Sequence, residues 1–133
     1  MNNDFTQSLF LIFITEIAVS CFNHFIMVKK VYESRLTELR AHQIGMMTRI
    51  IYIFAFAYAL DHFGKIKTIN EFLLAGVLWV FLIEIFEWIG SYLLGRSVKE
   101  ILMGWHIEKG YMWPFVLLAY LVSPIIMGIV FIK

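Results

Sequence analysis

The sequence predicts an all-α membrane protein: four transmembrane helices in a bundle, with a short interfacial amphipathic helix between spans three and four. Three observations carry this expectation. Of 133 residues, 61% are hydrophobic and only 16% charged, with a mean hydropathy of +0.79, far from the balance of a soluble domain. Four apolar stretches, at about 8–28, 44–60, 71–94 and 111–132, approach the roughly 20 residues a helix needs to cross hydrocarbon. Backbone groups in lipid must be satisfied internally, so such runs are helical. The length allows one domain over 1–133.

The loops orient the bundle. Between spans one and two lie Lys29, Lys30, Arg35 and Arg40, and between spans three and four lie Arg96, Lys99 and Lys109. The second loop holds only Lys65 and Lys67, and the first four residues hold no basic side chain and no secretory signal pattern. Basic loops stay on the cytoplasmic side. The expected topology is therefore multi-pass, with both termini outside.

The third loop carries an element of its own. Ser97 and Glu100 have the Ser-x-x-Glu spacing of a capping box. Val98, Ile101, Leu102 and Trp105 follow at helical steps and form one apolar stripe. A helix over 97–109, stopped by Gly110, should lie in the cytoplasmic interface. Trp113-Pro114 opens the fourth span, where a proline lacks nothing because first-turn amides are unpaired. Pro124, in mid-span, should kink it.

Span three holds two carboxylates one turn apart, Glu84 and Glu87. A charge at the centre of a bilayer costs roughly 2.5–3.5 kcal/mol even on the lenient insertion scale, so each acid needs a partner, a proton or a function. Counting helical rise from the cytoplasmic ends puts Asn23, Arg49 and Glu87 at similar depth. Asn23, His24, Arg49, Glu84 and Glu87 are therefore the candidate buried polar cluster, with Arg49 and Glu87 as the expected ion pair. Glu84, near the midplane, and Glu16 beyond it are left as candidates for a proton or cation route.

Other chemistry is excluded. Net charge is +1, which offers nucleic acid no basic surface. The one cysteine, Cys21, permits no internal disulfide or cysteine cluster. Glu84-x-x-Glu87 lacks the Glu-x-x-His repeats of a bundle metal site. Only His24 lies inside a span, so no facing pair exists for haem. No metal or cofactor is expected, and the expected partners are the lipid bilayer and copies of the same chain.

Two resemblances add to this reading. Asn23, Glu38-Leu-Arg-Ala-His42-Gln43, Phe86-Glu87, Gly90-Ser-Tyr-Leu-Leu-Gly95-Arg-Ser97 and Gly110-Tyr-Met-Trp113-Pro114 together resemble a family of small, uncharacterised bacterial four-span membrane proteins. That likeness implies a bacterial inner membrane as the location, singles out Glu87 over Glu84 and implies no activity. It departs at Met27, where the family often has arginine, and at Trp105-His106, where acidic residues are common. Arg40-Ala41-His42 is similar to the glutathione-binding start of helix two in the membrane-associated eicosanoid and glutathione metabolism family. That family implies four helices, trimers and a cytoplasmic anion or glutathione site built here from Arg35, Arg40 and His42. Ile44 and Met47 stand where it has its asparagine and glutamate.

Three functions follow in order. The first is a non-enzymatic membrane module whose buried Arg-Glu pair fixes the bundle. The second is a glutathione-dependent membrane transferase acting on a lipophilic substrate. The third is an oligomeric proton or cation pathway.

Overall fold

In the computed structural model, which describes residues 3–132, the chain is a series of helices joined by short turns, with no strand among the described residues. Helix α1 (Asn3–Phe22) continues without a break into a wider π-helical stretch, Asn23–Tyr32. Helices α2 (Glu38–Phe63) and α3 (Ile69–Leu93) follow. A short α4 (Val98–Met103) and a 3-10 turn (Ile107–Lys109) lead into α5 (Trp113–Met127), which ends in a π-helical turn, Gly128–Ile132. Four of these helices are long and apolar enough to cross a membrane: Asn3–Tyr32, Glu38–Phe63, Ile69–Leu93 and Trp113–Ile132.

Side-chain caps explain where the helices begin. Thr37 accepts the Arg40 amide at 3.2 Å and starts α2, six residues before the apolar run that marks it in the sequence. Thr68 and Glu71 form a reciprocal capping box at α3, as Ser97 and Glu100 do at α4, each satisfying amides with no partner inside the helix. Helix α4 is shorter than the expected 97–109. It ends at Gly104, whose carbonyl accepts the Trp113 amide instead of continuing the helix. After it, a 2.7 Å hydrogen bond from the His106 ring holds the Glu108 carboxyl below its usual pKa.

Helix α5 is the central element, packed against both α2 and α3, while α1 packs mainly on α2. The core runs through Ile53, Ala57 and Leu60 of α2, Phe72, Ala75, Trp79 and Ile83 of α3, and Val116 and Tyr120 of α5. Gly76 lies directly against the Leu121 backbone, so α3 and α5 touch where no side chain intervenes. Small residues permit this approach, which suits helices that pack without a hydrophobic drive between them. The outer faces are as apolar as the core: Ile51, Tyr92 and Leu93 are all more than 70% exposed. Helices apolar all round belong in a large core or a membrane.

The two ends of the bundle differ. Lys29, Glu33 and Glu38 of the first connection share one cavity with Arg96 and Glu100 of the third. At the other end, Lys65 of the second connection pairs with Asp4 at 3.3 Å, and the Phe131 ring meets Tyr58 edge-on. The start of α1 at Asp4 and the last π-helical turn at Phe131 therefore lie with the second connection. Helix α5 runs on past the buried Pro124 and widens at Gly128, which sits against the Phe72 ring.

Because α2 runs to Phe63, Asp61 falls inside the helix rather than in the expected 61–70 loop. It is fully buried, and neither carboxylate oxygen has a hydrogen-bond partner. A buried unpaired polar group is destabilising by about 1–3 kcal/mol. Asp61→Leu should therefore raise the melting temperature in detergent, and a fall would show that Asp61 has a partner in solution. Gly76→Ala should lower it, because overpacking a close helix contact costs about 1–3 kcal/mol.

Candidate functional site

The polar interior is built around Arg49. Its position follows from the start of α2: eleven residues beyond Glu38, the guanidinium stem lies about 16 Å along the helix. Glu87 is six residues from the end of α3, only about 9 Å in. The depths differ, and the expected Arg49–Glu87 pair does not form. Arg49 pairs with Glu16 of α1 instead, Nε to Oε1 at 3.6 Å. Glu87 stands 3.6 Å from Arg96, half-buried at the end of the bundle.

Tyr120 of α5 joins the two charges. Its hydroxyl accepts from Arg49 Nε at 3.1 Å and Nη2 at 2.7 Å, and donates to Glu16 Oε1 at 2.7 Å. Ser20 donates to the same Oε1 at 2.6 Å, and the Tyr52 hydroxyl lies 2.8 Å from Ser20 Oγ. Glu16 is fully buried and Arg49 only 11% exposed. At that depth a charge-assisted hydrogen bond is strong, because water neither competes nor screens.

Trp113 extends the network to α3. The Arg49 guanidinium carbon lies 5.2 Å from the Trp113 ring centroid and 5.5 Å from that of Tyr120, within cation–π range. The Trp113 indole Nε1 donates to Glu84 Oε1 at 2.8 Å. Glu84, for which the sequence offered no depth-matched cation, therefore has a neutral donor. The network Ser20–Glu16–Tyr120–Arg49–Trp113–Glu84 draws one or more side chains from each of the four long helices. Trp79, whose ring meets that of Tyr120 at a centroid distance of 5.0 Å, lies buried beside it.

The other candidates fall elsewhere. Asn23 is buried but bonds the Gly45 carbonyl at 3.0 Å, bringing the π-helical stretch against α2. His24 is exposed and lines the end cavity, so it does not belong to a buried cluster. Arg35 and Arg40 are exposed, whereas His42 is half-buried and accepts the Met112 amide on Nε2 at 3.2 Å. No group of three or more potential metal ligands occurs among the described residues. Tyr120 and Trp113 were not singled out as partners in the sequence, where nothing marks an aromatic as a hydrogen-bonding one.

Fold and site define a class: an all-α bundle with four helices of membrane-spanning length and hydropathy and a buried ion pair in its interior. Comparisons with family models, curated proteins and solved structures yield no match for this chain.

Removing one member of a buried pair strands the other, at a cost of about 3–5 kcal/mol. Glu16→Leu and Arg49→Met should each lower stability by that order, while the double variant recovers a large part of the loss. Glu87→Gln, at the half-exposed rim, should change stability by under about 1 kcal/mol. Equilibrium unfolding in detergent separates these outcomes.

Proposed function

We propose that this chain is a small polytopic protein of a bacterial inner membrane with a non-enzymatic role, a membrane module whose bundle is fixed by the Arg49–Glu16 pair. The observation that carries the reading is the engagement of that pair by its own helices. Tyr120 and Ser20 take the hydrogen bonds of Arg49 and of Glu16 Oε1, and Trp113 covers the guanidinium. Neither the groove between α1 and α3 nor the end cavity is lined by Glu16, Arg49, Tyr120 or Glu84. A transferase built on Arg35, Arg40 and His42 has less support, since His42 Nε2 is already engaged by the Met112 amide.

The basic residues support an orientation with both termini outside. Lys29, Lys30, Arg35, Arg40, Arg96, Lys99 and Lys109 belong to the connections at one end, against Lys65 and Lys67 in the connection at the other. Positive charge collects on the cytoplasmic side.

Single cysteines at Ser34 and Lys67, with Cys21 replaced by serine, test the placement. A membrane-impermeant maleimide should label position 67 on intact spheroplasts and position 34 only after lysis. The reverse pattern inverts the orientation, and recovery of the chain from the soluble fraction overturns the membrane reading. Calorimetric titration of the detergent-solubilised chain with glutathione should release no binding heat; saturable heat favours the transferase.

A further inference from the structure

The cavity at the basic end of the bundle has no part in the Arg49 centre. Its volume is about 170 Å³, it opens to the surface, and four separate segments line it: the π-helical end of α1, the first turns of α2, α4 with the preceding Arg96, and Tyr111 before α5. Cross-links hold this shape. Gln43 Nε2 donates to the Gly110 carbonyl at 3.0 Å, and the Met112 amide donates to His42 Nε2. These bonds hold the segment before α5 against the first turns of α2, and Glu100 and Met103 of α4 line the cavity beside it. Val28, Met46 and Met103 make an apolar part of the lining.

The charges around this lining specify a ligand class. Lys29 and Arg96 face Glu33, Glu38 and Glu100, two cations against three carboxylates, or −1 with the histidines neutral. That balance repels a simple or multiply charged anion. Lys29 is 3.1 Å from Glu33 but 4.0 Å from Glu38, whose side chain is 83% exposed and keeps acceptor capacity for a cation. Donors are also present. His42 accepts on Nε2, so its neutral ring carries the proton on Nδ1. The His24 ring makes no hydrogen bond among the described residues. A group carrying both charges satisfies both sets, an ammonium toward Glu38 and an anion toward the histidines and Arg96. At about 30 Å³ per water, the volume holds some five or six waters, the scale of a small polar headgroup and far below that of a nucleotide.

We infer that this cavity binds a phosphodiester bearing a primary ammonium, the zwitterionic chemistry of an esterified phosphoethanolamine group. Two sources carry it: the headgroup of a phospholipid beside the bundle, and a soluble glycerophosphoethanolamine. The lipid source rests on the membrane placement proposed above. The site does not.

Native mass spectrometry of the full chain in detergent, with added dioleoyl lipids, tests the lipid source. Phosphatidylethanolamine should be retained roughly three- to fivefold more than phosphatidylcholine or phosphatidylglycerol, the scale of one charge pair at an exposed carboxylate. The quaternary ammonium of phosphatidylcholine has no N–H to donate to Glu38. Calorimetry with glycerophosphoethanolamine tests the soluble source, and reads the cavity even if the chain fractionates as a soluble protein. Binding in either arm supports the site and names its source. Equal retention of all three lipids together with no heat from glycerophosphoethanolamine overturns it. Glu38→Gln, exposed and outside the core, should remove the preference while leaving the melting temperature unchanged; a preference that survives this variant also overturns the proposal.

Discussion

A guanidinium inside an apolar bundle constrains everything around it. Arg49 is nearly buried, and its charge needs a counter-charge, donors' partners and exclusion of mismatched neighbours at once. Glu16 supplies the counter-charge, but at 3.6 Å the direct contact is loose. The Tyr120 hydroxyl closes it by accepting from the cation and donating to the anion. One phenol therefore ties α1, α2 and α5 together, and its ring packs against Trp79 of α3.

The same constraint sorts the remaining acids. Glu84 meets the Trp113 indole, a neutral donor whose ring also faces Arg49. Glu87, one turn nearer the end, meets Arg96, which also donates to Ser91 Oγ at 3.1 Å and to the Glu100 carbonyl at 3.3 Å. Arg96 thus anchors the start of α4 to the end of α3, and α4 in turn lines the end cavity. Interior network and end cavity are separate, so disruption of one need not propagate to the other.

Much of this architecture is legible from residue order. The apolar runs, the Ser97–Glu100 box and the Trp113-Pro114 start depend on neighbours within a turn or on composition over twenty residues, and each leaves a local trace. Thr37 and Thr68 also leave one, but the hydropathy of the runs after them begins later and masks it. Gly104 is a harder case: the helix ends there because a distant amide, that of Trp113, takes its carbonyl.

Pairing is where local reasoning runs out. Burial of Glu16 and Ser20 follows from their four-residue spacing on one helix face, and the need of Arg49 for an acid follows from its charge alone. Which acid answers it depends on the start of α2, on the winding of α1 beyond Phe22 and on the approach of α5 that brings Tyr120 between the two charges. The sequence therefore settled that polar groups would meet inside a four-helix bundle, because hydrocarbon tolerates them only in company. Their partners were set by the packing of helices far apart in the chain, because a hydrogen bond forms over about 3 Å while a one-turn error in depth moves a side chain by about 5.4 Å.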